Sequence, residues 1–277
     1  SGPFHSDNIK YYDQKSNFLF FSAHGVNKEI DPYYEHTYKI SLNGGVPKLL
    51  NKGDFNTMTY PSDNHKFFVN NFSRVNTTPK SNLINSDGSV IMNLETADLS
   101  ALFESGYKFP ETFKAKADDG ITDLYGVIYK PFDFDENKKY PLLEYVYPGP
   151  QTESVNKSFS VRMDRLDRMA QLGFIVITLG NRGGHPDRSK WYHNYGYGNL
   201  RDYGLADKKY VAQQLANRHD FIDINRVGIY GHSGGGFMST AAILVYPDFF
   251  KVAYSQAGNH DNSIYNSWWS ETHHGIL

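Results

Sequence analysis

The sequence predicts a β-rich segment over residues 1–108, followed by an α/β segment over 109–277 with a mostly parallel sheet. Three observations carry this. Up to about residue 108, short apolar or alternating runs recur between polar turns, the pattern of consecutive strands. Beyond it, strand-like runs alternate with helix-period stretches, an order that calls for a parallel sheet. Within the second part, Phe174-Ile175-Val176-Ile177-Thr178-Leu179 is almost continuously apolar, as expected of a strand covered on both faces.

In chain order, the first part offers strands at 18–23, 36–42, 46–50, 57–60, 66–71, 81–85 and 90–94. Asn43-Gly44-Gly45 makes a turn, and Asp87-Gly88 is a hairpin signal. Strands of this length and spacing suit propeller blades or a sandwich. There is no clean internal repeat and room for only about two four-stranded blades, too few to close a ring, so the segment reads as the remnant of a propeller. The second part opens with Asp118-Asp119-Gly120 and an alternating strand at 124–130, ended by Pro131. A strand at 142–147 ends at Pro148-Gly149-Pro150. The stretch 161–172 places Val161, Met163, Leu166, Met169, Ala170 and Leu172 at helical spacing and closes at Gly173. A longer helix is expected over 199–218, with Tyr203, Asp207, Val211 and Leu215 along one side. Strands at 227–230 and 251–255 follow, with a helix over 236–245 between them.

The most informative run is Val227-Gly228-Ile229-Tyr230-Gly231-His232-Ser233-Gly234-Gly235-Gly236-Phe237-Met238. It reads as a buried strand, a tight turn carrying a serine, and a helix start. Gly231-His232-Ser233-Gly234-Gly235 fits G-x-S-x-G, the nucleophile elbow of α/β-hydrolases. With 24 glycines in 277 residues, composition alone yields roughly 0.2 chance matches to such a pattern, so its weight lies in the strand before and the helix after. Ser233 is the candidate nucleophile. The N–H groups opening the following helix favour a developing oxyanion.

Charge excludes some function classes. Lys and Arg total 28 and Asp and Glu 30, a formal net charge of −2, so neither a nucleic acid nor an anionic membrane surface is suggested as partner. No apolar run approaches a membrane span. The absence of cysteine removes disulfides, thiolate metal sites and a cysteine nucleophile, and fits cytoplasm and periplasm equally. No metal or cofactor motif is evident, and none is expected.

The residues from 118 to 275 together resemble the prolyl oligopeptidase superfamily of serine peptidases, and within it the dipeptidyl peptidase IV branch. The motifs are Asp119-Gly120 before an alternating strand, Lys139-Tyr140-Pro141-Leu142-Leu143, Tyr147-Pro148-Gly149-Pro150, Asn181-Arg182-Gly183-Gly184 and the elbow itself. The resemblance implies a β-propeller ahead of an α/β-hydrolase domain, in the order of the two segments here. It implies Ser233 as nucleophile and Tyr147 as an oxyanion donor, beside the backbone N–H of Gly234. It also implies that the stretch from Asp261 to Glu271 walls a pocket for a proline ring, through Tyr265, Trp268 and Trp269. Where the family often has a tyrosine after the serine, this chain has Gly234, which widens the expected pocket. The implied substrate is a peptide cleaved after proline or a small residue. The resemblance favours a periplasmic or secreted location and leaves room for a homodimer of a full-length protein.

In α/β-hydrolases the acid and histidine follow the serine in chain order. Only one predicted strand follows the elbow. Asp261, His273 and His274 fall too early in that order and are read as loop or pocket residues. Arg182, Asp207 and His232 are read as structural. The triad acid and base are therefore expected to be absent from this chain, and the chain itself to be inactive. Two other readings share these residues: an esterase or acylaminoacyl-type hydrolase, and a non-catalytic peptide-binding relative.

Overall fold

A computed structural model describes residues 4–160 and 165–275. The chain divides into two compact units. One comprises Ser1–Phe109 with Asn156–Ser160 and Asp187–Ser189, and the other comprises the remainder.

The first unit holds two four-stranded antiparallel sheets, each wound in chain order. The strands β1 (His5–Asp13), β2 (Phe18–His24), β3 (His36–Ser41) and β4 (Lys48–Leu49) make the first. The second consists of β5 (Asn56–Pro61), β6 (Phe67–Ser73), β7 (Lys80–Asn85) and β8 (Val90–Thr96), after which α1 (Ser100–Glu104) closes the segment. Phe20, Leu50, Phe68 and Ile84 are buried together, and Phe20 stacks on Phe68 with ring centroids 5.5 Å apart. Such four-stranded meanders have the form of propeller blades. The turn before β8 depends on Gly88, at φ +93°. A strand at 5–13 was not anticipated, because the segment has no clean apolar alternation and Ile9 is itself 71 % exposed.

The second unit is a six-stranded mixed sheet flanked by helices. Its elements are β9 (Glu111–Lys116), β10 (Asp123–Tyr129), β11 (Tyr140–Tyr145), α2 (Arg165–Ala170), β12 (Ile175–Leu179), α3 (Lys190–Asn194), α4 (Leu205–Arg218), β13 (Ile222–His232), α5 (Gly234–Val245), β14 (Phe250–Gln256) and α6 (Ser267–His274). The strand order is β14-β13-β11-β12-β10-β9. The pairs β14/β13, β13/β11 and β11/β12 are parallel, and β12/β10 and β10/β9 antiparallel. This is the α/β-hydrolase arrangement that the strand–helix alternation called for. All five residues of β12 are buried, as its apolar run required.

Two helices differ from expectation. Of the stretch 161–172, residues 161–164 lie outside the described residues. The described helix ends at Ala170, and Leu172 is 71 % exposed rather than part of the apolar stripe. The longer helix starts at Leu205, not at 199. The ring of Tyr203 instead lies against Gly183 and Gly196, where any Cβ would collide with it.

A pair of ionisable side chains is sealed into this core. Glu144 on β11 is fully buried, and its Oε1 lies 3.7 Å from the Nζ of Lys208 on α4. Lys208 also donates to the Leu179 carbonyl at 2.5 Å. Burial pushes the Glu144 carboxyl up to about 7, against the pull of the Lys208 ammonium. Burial likewise pushes the Lys208 amine down. The folded chain therefore keeps the Glu144 proton at pH values where the unfolded chain has released it, so stability through this group falls as pH rises from the ordinary carboxylate range towards 7. Urea midpoints measured from pH 5 to 7 should show Glu144→Gln gaining steadily on the wild-type chain. A difference independent of pH would mean that Glu144 is ionised throughout.

Candidate active site

The site forms where two parallel strands end together. Tyr145 on β11 is opposite Tyr230 on β13, and the Val146 N–H extends the ladder to the Tyr230 carbonyl at 2.9 Å. Tyr147 follows at once, and the turn bearing Ser233 leaves β13 at the same edge. Parallel pairing thus brings together two residues 86 positions apart in sequence (233 − 147).

Ser233 has φ 56° and ψ −119°, a conformation that costs energy for a residue with a Cβ. It is held from both sides. Its N–H donates to the Gln256 carbonyl at the end of β14 (2.8 Å), and its carbonyl accepts from the Phe237 N–H in the first turn of α5 (3.0 Å). The turn also presses on the end of β11, since a Cβ on Gly231 or Gly235 would collide with the Val146 carbonyl oxygen. Gly234 is different. A Cβ there would come no nearer than 3.4 Å to the Pro148 carbonyl oxygen.

A cavity of about 160 Å³ opens on this turn, and its walls include Ser233, Gly234, Tyr147, Phe237, Tyr265 and Trp269. Ser233 and Tyr147 are half-buried. As the first residue of α5, Gly234 has an N–H without an intrahelical acceptor. A hydroxyl at a helix N-terminus, a phenol from the neighbouring strand end and an unclaimed amide can together attack a carbonyl and receive the charge that develops on its oxygen.

Tyr265 and Trp269 lie four residues apart, a spacing that on one helix would give them neighbouring faces. Tyr265 in fact precedes α6, whose cap Asn266 accepts from the Trp269 N–H at 3.3 Å. The two rings still meet edge to face, with centroids 5.6 Å apart. Trp268 does not join them. It is 72 % exposed and forms no part of the cavity wall, because one residue along a helix rotates the side chain by roughly 100°. A larger cavity, of about 560 Å³, is lined by Tyr145, Tyr230, Tyr254 and His232 but by neither Ser233 nor Tyr147.

The late acidic and basic residues do not reach the serine. The Asp261 carboxylate accepts from the Ser263 hydroxyl (2.6 Å) and N–H (2.9 Å), which hold it below the usual carboxylate range. His273 and His274 pack on Trp269, with centroids 5.0 and 5.9 Å away. Burial pushes both imidazoles down. Among the described residues, no hydrogen bond joins the Ser233 hydroxyl to a histidine or carboxylate.

Buried charge supports the loops around the cavity. Arg182 grips Asp207 through Nη2 (2.7 Å), Nε (3.1 Å) and its own backbone N–H (2.9 Å), and its Nη1 reaches Asp119 at 3.2 Å. Sequence reasoning passed over Glu153. Its carboxylate accepts from the Tyr192 hydroxyl (2.7 Å) and the Asn181 N–H (3.2 Å). A Cβ on Gly180 or Gly184 would occupy the place of that carboxylate. The glycines around Asn181-Arg182 were the available signal: they make room for a side chain from the loop that follows Pro148-Gly149-Pro150.

An α/β-hydrolase sheet with a strained serine at its elbow defines a class of fold, and comparison narrows it. The prolyl oligopeptidase family profile matches residues 159–276. Human dipeptidyl peptidase 8 is 40 % identical over 152 residues, covering 54 % of this chain and 17 % of that protein. A "Probable dipeptidyl-aminopeptidase B" of Arthroderma otae is 30 % identical over 241 residues, covering 82 % and 24 %. The crystal structure of a "putative dipeptidyl aminopeptidase IV" from Bacteroides ovatus superposes with a TM-score of 0.83 at 25 % identity, covering the whole of this chain and 38 % of that one. The chain belongs to the prolyl oligopeptidase superfamily and is dipeptidyl peptidase IV-like. It spans about a sixth to a quarter of the length of these curated relatives.

The glycine contacts yield a paired expectation. Gly235→Ala should lower the stability of the second unit by about 1–3 kcal/mol, the usual penalty for overpacking against fixed backbone. Gly234→Ala should be tolerated far better. Urea unfolding of the two variants side by side checks this, and equal losses would mean that the turn does not press on β11.

Proposed function

We propose that this chain carries the nucleophile, the oxyanion donors and the proline-side pocket of a serine peptidase that releases dipeptides after proline or a small residue. In this reading Ser233 Oγ attacks the scissile carbonyl and forms an acyl-enzyme. The Tyr147 hydroxyl and the Gly234 N–H stabilise the oxyanion. Tyr265 and Trp269 stand against the ring of the residue before the scissile bond. The carrying observation is the common cavity of Ser233, Tyr147, Tyr265 and Trp269, with Ser233 at φ 56°. The names of the similar proteins, dipeptidyl peptidase and dipeptidyl-aminopeptidase, support the same substrate class. Gly234 in place of a larger side chain widens the pocket and supports a relaxed preference for proline.

Among the described residues no histidine or carboxylate is hydrogen-bonded to the Ser233 hydroxyl, and in this reading the chain by itself turns over poorly. A serine without a base keeps an ordinary hydroxyl and attacks slowly.

Kinetics on a chromogenic dipeptide ending in proline, measured on the whole peptidase, test the assignment. Ser233→Ala should abolish turnover. Tyr147→Phe should lower kcat by about 10²–10³-fold with little change in KM, since the donated bond strengthens only as charge develops. A change in KM alone would make Tyr147 a wall of the pocket and no more.

Trp269→Ala should erode selectivity. Opening one wall of an apolar pocket is worth roughly 1–3 kcal/mol in relative kcat/KM, read as the ratio between proline and larger apolar residues before the scissile bond. An unchanged ratio would remove Trp269 from the pocket.

A further inference from the structure

The first unit holds a cluster that neither the fold nor the peptidase reading uses. Asp7 on β1, His24 at the end of β2 and Glu35 just before β3 each offer one ligand-type atom, and the three atoms lie within 4.8 Å of one another. We propose that Asp7, His24 and Glu35 form a site for a divalent transition metal, with zinc as the fitting ion.

The histidine carries the argument. Its side chain is only 9 % exposed, and its Nδ1 lies 3.0 Å from the Tyr33 carbonyl oxygen. Facing a carbonyl, Nδ1 must donate, so in the neutral ring the lone pair resides on Nε2. An imidazole pinned through one nitrogen to a carbonyl is the usual posture of a metal-ligating histidine. The charge around it is negative. Nε2 has the nearest Asp187 carboxylate oxygen at 3.7 Å, beyond hydrogen-bonding reach. His5 lies 3.6 Å from the other oxygen of Asp187, and its ring meets the His24 ring edge-on at 5.9 Å. Nε2 faces these carboxylates, and a cation held there, a proton or a metal ion, is stabilised by them.

One imidazole and two carboxylates suit zinc, leaving a fourth position for water. Calcium, which takes oxygen ligands, gains little from the histidine. Lys10 competes, its Nζ lying 3.3 Å from Glu35 Oε1. The ammonium neutralises the carboxylate that the metal would use. No spacing rule in the sequence reveals such a site, because its ligands come from three segments joined only by strand pairing. The expectation of no metal motif therefore does not reach it.

Isothermal titration of the purified chain with zinc chloride, in buffer free of chelators, tests the proposal. One zinc per chain should bind. Asp7→Asn and Glu35→Gln, on exposed and half-buried side chains that leave the fold intact, should each weaken it by at least about tenfold, as should His24→Gln. Lys10→Met should tighten it, and calcium chloride should bind far more weakly. A His273→Asn/His274→Asn double variant should bind zinc unchanged. Loss of binding in that variant, indifference to the three ligand substitutions, or equal affinity for calcium would each overturn the site. None of these readouts requires peptidase activity, so the failure of either reading leaves the other standing.

Discussion

The second unit depends on how closely the β13–α5 turn approaches the end of β11. That approach leaves no space for a Cβ at Gly231 or Gly235, both of which face the Val146 carbonyl oxygen. It forces Ser233 to φ 56°, a strain of order 1–3 kcal/mol that persists only where surrounding structure over-determines it. Here the surrounding structure is identifiable. Gln256 receives the Ser233 N–H, and Phe237 donates to the Ser233 carbonyl, so β14 and α5 both brace the turn. The reward of the approach is geometric, since it sets a hydroxyl, a helix N-terminus and the Tyr147 phenol around one small cavity.

Bracing continues below the cavity through buried charge. Ion pairs removed from water seldom add net stability, but breaking one partner from such a pair is costly. Arg182, Asp207 and Asp119 fix the position of the 181–184 segment relative to α4 and to the turn before β10. The Thr122 hydroxyl and the N–H groups of Ile121 and Thr122 hold the Asp119 carboxyl at about 2, overcoming the desolvation that opposes its charge. Asp119 therefore stays ionised over the whole neutral range. Glu153 then ties the loop after Tyr147 to Asn181 and Tyr192. The same loop is also held where the Tyr203 hydroxyl donates to the Pro148 carbonyl at 3.4 Å. Through Glu153 it is referenced to the same sheet edge as the serine.

Much of this was legible in the chain because it rests on local grammar. The apolar run at β12, the turn glycines and the strand–turn–helix around Ser233 each carry their own physical signature. What escaped has a common cause. The strand β1 lies half in solvent and lacks a clean apolar alternation. The start of α4 was misjudged because the Tyr203 ring packs over Gly183 and Gly196, a contact across some twenty residues. Tyr265, Trp268 and Trp269 were grouped by the resemblance of the 261–271 stretch, yet Tyr265 and Trp269 meet through a capped turn and Trp268 is exposed. Pairings such as Glu144 with Lys208 leave only half a signal in sequence: a charged residue inside an apolar strand announces that a partner exists, not which one.

The two cavities of the second unit show why chemistry, rather than volume, locates the site. The larger one sits on an aromatic ladder in which Tyr145, Tyr230 and Tyr254 are in register across three parallel strands. It is roomy and apolar, but neither Ser233 nor Tyr147 lines it. The smaller one adjoins the carboxyl ends of those same strands, where a parallel sheet collects the residues that leave it and where ligands bind in open α/β sheets. There Ser233, Tyr147 and the first residue of α5 border one cavity. The polarity of the strands, set by the parallel register of β11, β13 and β14, thus decides which cavity gathers Ser233, Tyr147 and the start of α5.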